Sequence, residues 1–407
     1  MQPKVSIIIP VYNGSNYMRD AIDSALNQTY GNCEVIVIND GSKDGGKTEE
    51  IALSYGNRIR YFYKENGGVA TAVNLGIEKM SGDYFSWLSH DDIFTPDKIE
   101  KQILAAEESG ETEAIVHSNF DFLYVEDSVR AKVNWLDQYS REQLEEGCFA
   151  PVFLAIHGST VLIHKSHFQR VGVYDTELRS TQDSEFLFRV MRGKRSVFVE
   201  DSLMISRVHK EQGQQTMSCY GTEYNKMLVD FCEALTEKEK CELAGSSCNF
   251  YYRLYLSQRY RNKAKEILIY LKKKIEETYE KEHIQEQFFL EKEWRANGIK
   301  EIYIFGAGQY GKEILLTLKN YGVEIAGFVD NDVKKQGTLI NEINCVAPEQ
   351  VYNKKEILVI IAMISPEEVL KQLKDNRVCN VITSGELKKI FFRVLPEKMD
   401  LQEDISA

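Results

Sequence analysis

Two short β-branched runs constrain this chain more than any other feature. Val5–Pro10 reads VSIIIP and Glu34–Asn39 reads EVIVIN, and near-continuous apolar runs of this length suit strands buried on both faces of a parallel sheet. Between them, Tyr17–Leu26 carries apolar residues at helical spacing, which makes a strand, helix, strand unit. The pattern repeats with a strand near Ile59–Tyr63, a loop Glu65-Asn66-Gly67-Gly68, a helix over Val69–Met80 and a strand over Tyr84–Leu88. Such alternation predicts an α/β fold with a largely parallel sheet. Ligands bind these sheets beyond the carboxyl ends of the strands, where Asp40 and the segment after Leu88 fall.

At 407 residues the chain exceeds what one core organises, so two or three domains are expected. Glycine-poor, charged and aromatic helical sequence from 217 to 297 reads as a helical connector, and strand patterns return after it, at Ile302–Phe305, Glu324–Val329 and Ile357–Ala362. The scheme is therefore 1–216, a connector over 217–297, and a smaller α/β domain over 298–407. A net charge of −12 argues against nucleic acid as a partner, because phosphate recognition needs a cationic face. No apolar run approaches the ~18 residues of a membrane span, and the start lacks a signal-peptide pattern. The expectation is a cytoplasmic protein. The basic run Arg259, Arg261, Lys263, Lys265 and Lys272–Lys274 allows peripheral contact at the inner membrane surface, although a solvated helix face explains it as well. The eight cysteines form no C-x-x-C pair, so neither a zinc cage nor a redox motif is indicated.

Chemistry concentrates after the fourth apolar run. Trp87-Leu88-Ser89-His90-Asp91-Asp92 places two adjacent carboxylates where the chain leaves the sheet. Mg²⁺ or Mn²⁺ takes oxygen ligands, commonly one or two carboxylates plus substrate phosphates, and either ion neutralises a departing diphosphate. The alternative for Asp92 is a helix cap.

The stretches SIIIPVYNG, VIVINDGSKDG and ENGGVATAVNLGIEKMSGDYFSWLSHDD, in this order, resemble glycosyltransferase family 2, whose members carry a GT-A nucleotide-diphospho-sugar transferase domain. The resemblance covers roughly residues 3–215. It implies that Pro10, Tyr12 and Asn13 line the nucleotide base, that Asp40 accepts from the pyrimidine, and that Asn66 and Gly67 form the adjoining loop, with Asn74 a structural support. Asp91 matches the metal-binding acid of the family's aspartate-x-aspartate signature, with Asp92 behind it. Ser89 stands where the first aspartate of that signature usually sits, so a hydroxyl takes over its ribose contact.

Inversion at the sugar requires a general base for the acceptor hydroxyl. Ser180-Thr181-Gln182-Asp183-Ser184-Glu185 resembles the family's glutamate-aspartate motif ahead of an apolar helix. Asp183 aligns with the base, Gln182 replaces the preceding acid, and Glu185 is the reserve. His157 and Gly158 resemble the acceptor side. Arg207-Val208-His209 resembles a loop that closes over the diphosphate, with His209 as a further metal or phosphate contact. The implied activity is metal-dependent transfer of a sugar, with UDP the leading nucleotide, to a saccharide, lipid-linked or protein-linked hydroxyl, in cell-surface polysaccharide or glycoconjugate synthesis.

A second motif, Gly306-x-Gly308-x-x-Gly311, follows a strand, and Asp330 ends the next one, as in a Rossmann-like dinucleotide turn. A nucleotide in this domain is one expectation, and a tight structural turn is the other. Two rival functions follow. One is a non-catalytic nucleotide-sugar-binding assembly subunit, and the other is an NAD-dependent sugar-modifying enzyme built on the C-terminal domain.

Overall fold

The computed structural model describes residues 2–111, 113–212, 217–283, 294–363 and 365–392. It is α/β, with a nine-stranded sheet and a smaller six-stranded sheet towards the C-terminus, as expected. By proximity the chain forms two compact units, Met1–Ala234 with Arg261–Ile267, and Leu235–Tyr260 with Leu268–Ala407. The expected connector divides between them, and its residues 284–293 lie outside the described residues.

The larger sheet opens with β1 (Val5–Val11), β2 (Cys33–Asp40), β3 (Arg60–Lys64) and β4 (Tyr84–Trp87), in the order β3-β2-β1-β4 and all parallel. Every residue of β1 is buried. Its side chains alternate, Ile7 and Ile9 entering one core and Ile8 the other, so a strand covered on both faces carries no polar stripe. Helices α1 (Met18–Leu26), α2 (Lys47–Leu53) and α3 (Val69–Lys79) make the crossovers; α1 and α3 lie close to their predicted bounds, and α2 had not been anticipated.

Beyond β4 the sheet is mixed, which periodicity did not foretell. The two-residue strand β5 (Ile93–Phe94) runs antiparallel to β9 (Val197–Val208), while β6 (Ile115–Tyr124) pairs with β9 in parallel and with both β7 (Val129–Val133) and β8 (Leu162–His164) antiparallel. The β5–β9 pairing pulls the segment after β4 against the end of β9.

Helix α4 (Lys98–Ser109) buries Lys98 completely. Its ammonium donates to Ser86 Oγ (3.0 Å) and Gln102 Oε1 (2.7 Å) and lies 4.2 Å from the Phe94 ring centre. Burial pushes it down to about 7, because no carboxylate repays the lost hydration.

In the second unit β10 (Glu301–Phe305) is central, parallel to β11 (Gly327–Val329) and to β14 (Ile357–Ile361); with β12 (Leu339–Ile340), β13 (Ile343–Val346) and β15 (Val381–Thr383) the order is β12-β13-β11-β10-β14-β15. Among the described residues no helix is long and apolar enough to cross a membrane.

Candidate active site

The turns after β1, β2 and β3 are tied to one another. Asn13, left-handed at φ 51, accepts from Lys43 N at 2.7 Å, and its own N–H donates to Ser42 Oγ at 2.9 Å. Asp40, buried at the end of β2, accepts from Lys64 Nζ (2.6 Å), Gly67 N (3.0 Å), Gly68 N (2.8 Å) and Asn66 Nδ2 (3.3 Å). A carboxylate offers about four lone-pair positions, so Asp40 is saturated by the loop that follows β3. Gly41, at φ +68, is required here, since a β-carbon on it would stand 2.5 Å from Asn66 N. Asn74 accepts from Tyr174 N and donates to its carbonyl, a structural role. Tyr12 is 42% exposed beside these turns, and Pro10 is buried as the penultimate residue of β1.

The second cluster forms where β5 meets β9. His209 Nε2 lies 3.1 Å from Asp91 Oδ2, and both side chains are largely covered. Arg207 holds this corner, its Nη1 donating to Asp91 O at 2.9 Å and its Nη2 pairing with Asp20 at 2.5 Å, with the guanidinium 4.9 Å from the Tyr17 ring centre. Arg207 and Val208 belong to β9, so the diphosphate-covering loop expected from Arg207 onward begins at His209.

Asp92, expected beside Asp91 as a ligand, is buried and engaged by β9. Its Oδ1 accepts from Arg207 N at 3.1 Å. Burial pushes its carboxyl well up, the neighbouring Asp91 adds to this, and Arg207 N and Ser206 Oγ oppose it. Among the described residues no three His, Cys, Asp or Glu side chains form a metal cluster. A carboxylate and an imidazole brought together from two elements nevertheless suit a divalent ion whose remaining ligands are phosphate and water oxygens. His90 packs against Gly14 and is held neutral by burial.

The third cluster faces the second. His157 Nδ1 accepts from Ser159 N at 3.2 Å, which fixes the neutral ring as the Nε2–H tautomer. Burial pushes it down to about 4, and Asp91 is close enough to oppose that shift. Ser89 Oγ lies 3.4 Å from Ser159 Oγ. A β-carbon on Gly158 would stand 3.0 Å from Asp183 Oδ2 and 3.3 Å from Trp87 Cζ3. Asp183 is thus seated against the backbone that follows His157.

Asp183 occupies the first turn of α8 (Gln182–Met191), where burial pushes its carboxyl up although the main-chain N–H groups of that turn oppose the shift. Glu185, the reserve base, is bound to Arg189 at 2.5 and 2.8 Å, and Arg189 in turn holds the carbonyls of Val171 and Val173. That pairing commits Glu185 to packing α8.

Sequence reasoning did not single out Lys64, Arg179 or Glu223. Lys64 supplies one of Asp40's donors, and Glu223 caps the loop before α8, accepting from Ser180 N at 2.9 Å and Ser180 Oγ at 2.7 Å. Glu223 had a local signal in its place within the first turn of the helix Tyr220–Ala234, but its partners lie in another segment.

In the second unit the glycine turn does meet Asp330. Ala307 N and Lys335 Nζ each donate to Asp330 Oδ2 at 2.9 Å, and Asp332 N donates to Oδ1 at 2.8 Å. Burial raises this carboxyl, yet these donors leave it below the ordinary range. Gly306 sits at φ 108, and a β-carbon on Gly311 would stand 1.9 Å from Gly306 O, whereas Gly308 has open space. The basic run is partly engaged: Lys263 Nζ lies 4.4 Å from the Tyr220 ring centre, and Lys273 and Lys274 pair with Glu277.

Residues 6–172 match the Glycosyl transferase family 2 profile, and residues 298–381 match one described as C2185-like, N-terminal. An uncharacterized glycosyltransferase of Rickettsia typhi is 45% identical over 248 residues, 61% of this chain and 77% of that protein. One from Rickettsia bellii is 44% identical over 251 residues, and there the match spans only 36% of the relative's length. Among solved structures, Staphylococcus aureus TarS 1–349 in complex with UDP-GlcNAc is 14% identical with a TM-score of 0.46, covering 68% of this chain and 92% of that one.

Proposed function

Because this chain belongs to glycosyltransferase family 2, we propose that it moves a sugar, with inversion, from a nucleotide diphosphate to an acceptor hydroxyl between its three clusters. The observation that carries this is the contact line at Gly158. That residue seats the Asp183 carboxylate within 3.0 Å of its β-carbon position, while its neighbour His157 feels the charge of Asp91. On this reading the proposed base and the proposed metal-binding acid both lie near the His157–Gly158 segment.

In this reading Tyr12, Asn13, Asp40, Asn66 and Gly67 hold the nucleoside, with UDP the leading candidate, and Ser89 reaches the ribose. Asp40 is already saturated, so a uracil imide takes the place of its longest donor, Asn66 Nδ2. Asp91 and His209 would hold Mn²⁺ or Mg²⁺, with Asp92 and Arg207 positioning them. When bound, the ion neutralises the departing diphosphate. Asp183 takes the acceptor proton on its carboxylate, and the covered site excludes water that would compete. His157 offers its Nε2–H to an oxygen on the acceptor side. A saccharide, lipid-linked or protein-linked hydroxyl in cell-surface polysaccharide synthesis is the proposed acceptor, and the Gly306–Asp330 turn is proposed as a Rossmann-like nucleotide element of a separate C-terminal domain.

The place of Asp183 in the first turn of α8, where a carboxylate suits the positive end of the helix dipole, favours a second reading, a nucleotide-sugar-binding subunit in which this acid is structural. Asp183→Asn separates the two, because asparagine keeps the shape of the side chain but takes no proton. The variant should bind UDP with Mn²⁺ as the wild type does and lose metal-dependent UDP-sugar turnover by about a thousandfold. Turnover at the wild-type rate would remove Asp183 from the chemistry.

A further inference from the structure

Arg179 is a cation that no acid among the described residues pairs with. It lies exposed in the loop before α8, where its Nη1 donates to Gly67 O across a long 3.4 Å and its guanidinium carbon stands 3.3 Å from the β-carbon position of Gly68. The charges around it are already committed. Glu223 spends its carboxylate on the main chain of the same loop, accepting from Arg179 N at 3.1 and 3.2 Å and from the Ser180 N–H and hydroxyl. Asp40, under the Gly67–Gly68 loop, is filled by Lys64 and by backbone N–H groups.

A guanidinium carries five donors and stays charged at any working pH. This one is fixed in place by a carboxylate that clamps its backbone without neutralising its head. Such an arrangement suits an anion from outside the chain, held by paired N–H groups. The position narrows the choice, since the loop bridges the Asn66–Gly68 turn and the helix that begins just before Asp183.

Resting on the donor site proposed above, we infer that Arg179 binds an oxyanion of the sugar donor, either its diphosphate or a carboxylate carried by the transferred sugar. Glu223 acts as the positioning residue for that contact. Arg179 is then a determinant of which donor is accepted, separate from the metal-holding pair.

Calorimetric titration of the full chain with UDP, UDP-glucose and UDP-glucuronate, each with Mn²⁺, tests this. If the anion is the diphosphate, Arg179→Gln weakens all three about tenfold. If it is the sugar carboxylate, Arg179→Gln weakens only UDP-glucuronate, by about the same factor. In either case Arg179→Lys restores part of the loss, and Glu223→Ala gives a smaller loss with the same ligand pattern. Wild-type affinity of Arg179→Gln for all three ligands overturns the role of Arg179 and leaves the donor site standing. A wild type that binds none of the three overturns both.

Discussion

Gly158→Ala is the most direct probe of how closely the acceptor side is built. Gly158 has no left-handed backbone requirement, so the added methyl acts through space alone. It would lie 3.0 Å from Asp183 Oδ2, 3.2 Å from Asp183 Cβ and 3.3 Å from Trp87 Cζ3. Carbon contacts relax at about 3.5–4.0 Å, so something must yield by about 0.4 Å. Trp87 is buried in the core beside Tyr174, with ring centres 5.7 Å apart, and retreats least. Asp183 therefore moves. A misplacement of about 1 Å costs about a hundredfold in rate, so a shift of about 0.4 Å predicts a three- to tenfold fall in kcat. Overpacking adds a stability loss of about 1 kcal/mol. UDP affinity should not change, because the turns proposed to hold the nucleotide follow β1, β2 and β3. Metal-dependent UDP-sugar turnover and UDP titration, run side by side, read both quantities. An unchanged kcat in a folded variant, or a fall in UDP affinity that matches the fall in kcat, would refute the reasoning.

Two further outcomes follow from burial. Burial raises the Asp183 carboxyl above its ordinary value of 3.8, and a base works only when deprotonated, so kcat should fall with decreasing pH well before an ordinary aspartate titrates; a profile flat down to about pH 4 would contradict this. Lys98 has its ammonium pushed down to about 7 from 10.5. Between those values the unfolded chain binds more protons than the folded one, so stability rises with pH across that window and the penalty is fully present below it. Chemical denaturation of the wild type should gain about 2 kcal/mol from pH 7 to pH 9. Lys98→Met, which leaves only Gln102 Oε1 wanting a partner, should stabilise the protein by about 2 kcal/mol at pH 7 and abolish that slope; a destabilised variant, or one that keeps the slope, would sink the assignment.

The elements easiest to read in the sequence are those whose burial is symmetric. β1 and β2 announce themselves because both faces are covered; Asp40 ends β2, and Asn66 and Gly67 follow β3, its parallel neighbour in the sheet. β5 has two residues and no periodicity, so nothing local forecast its pairing with β9. That pairing turns Asp92 inward and sets Arg207 beneath Asp91. The clamp of Glu223 on Arg179 and Ser180 is equally non-local, whereas the salt bridge that occupies Glu185 is a one-turn pair with Arg189 on the same helix. Local pattern identifies which residue types stand at strand ends, whereas the direction each side chain faces depends on segments distant in the chain.

Asp91 and His209 are separated by 118 positions and meet only because β9 returns to lie against β5. An incompletely folded chain therefore has no such pair, and a cation has nothing bidentate to grip until the last long strand has docked. If this pair holds the proposed ion, divalent-ion affinity gauges how much of the population is fully assembled, and a lesion that loosens β9 will masquerade as weak ion binding even when both side chains are intact.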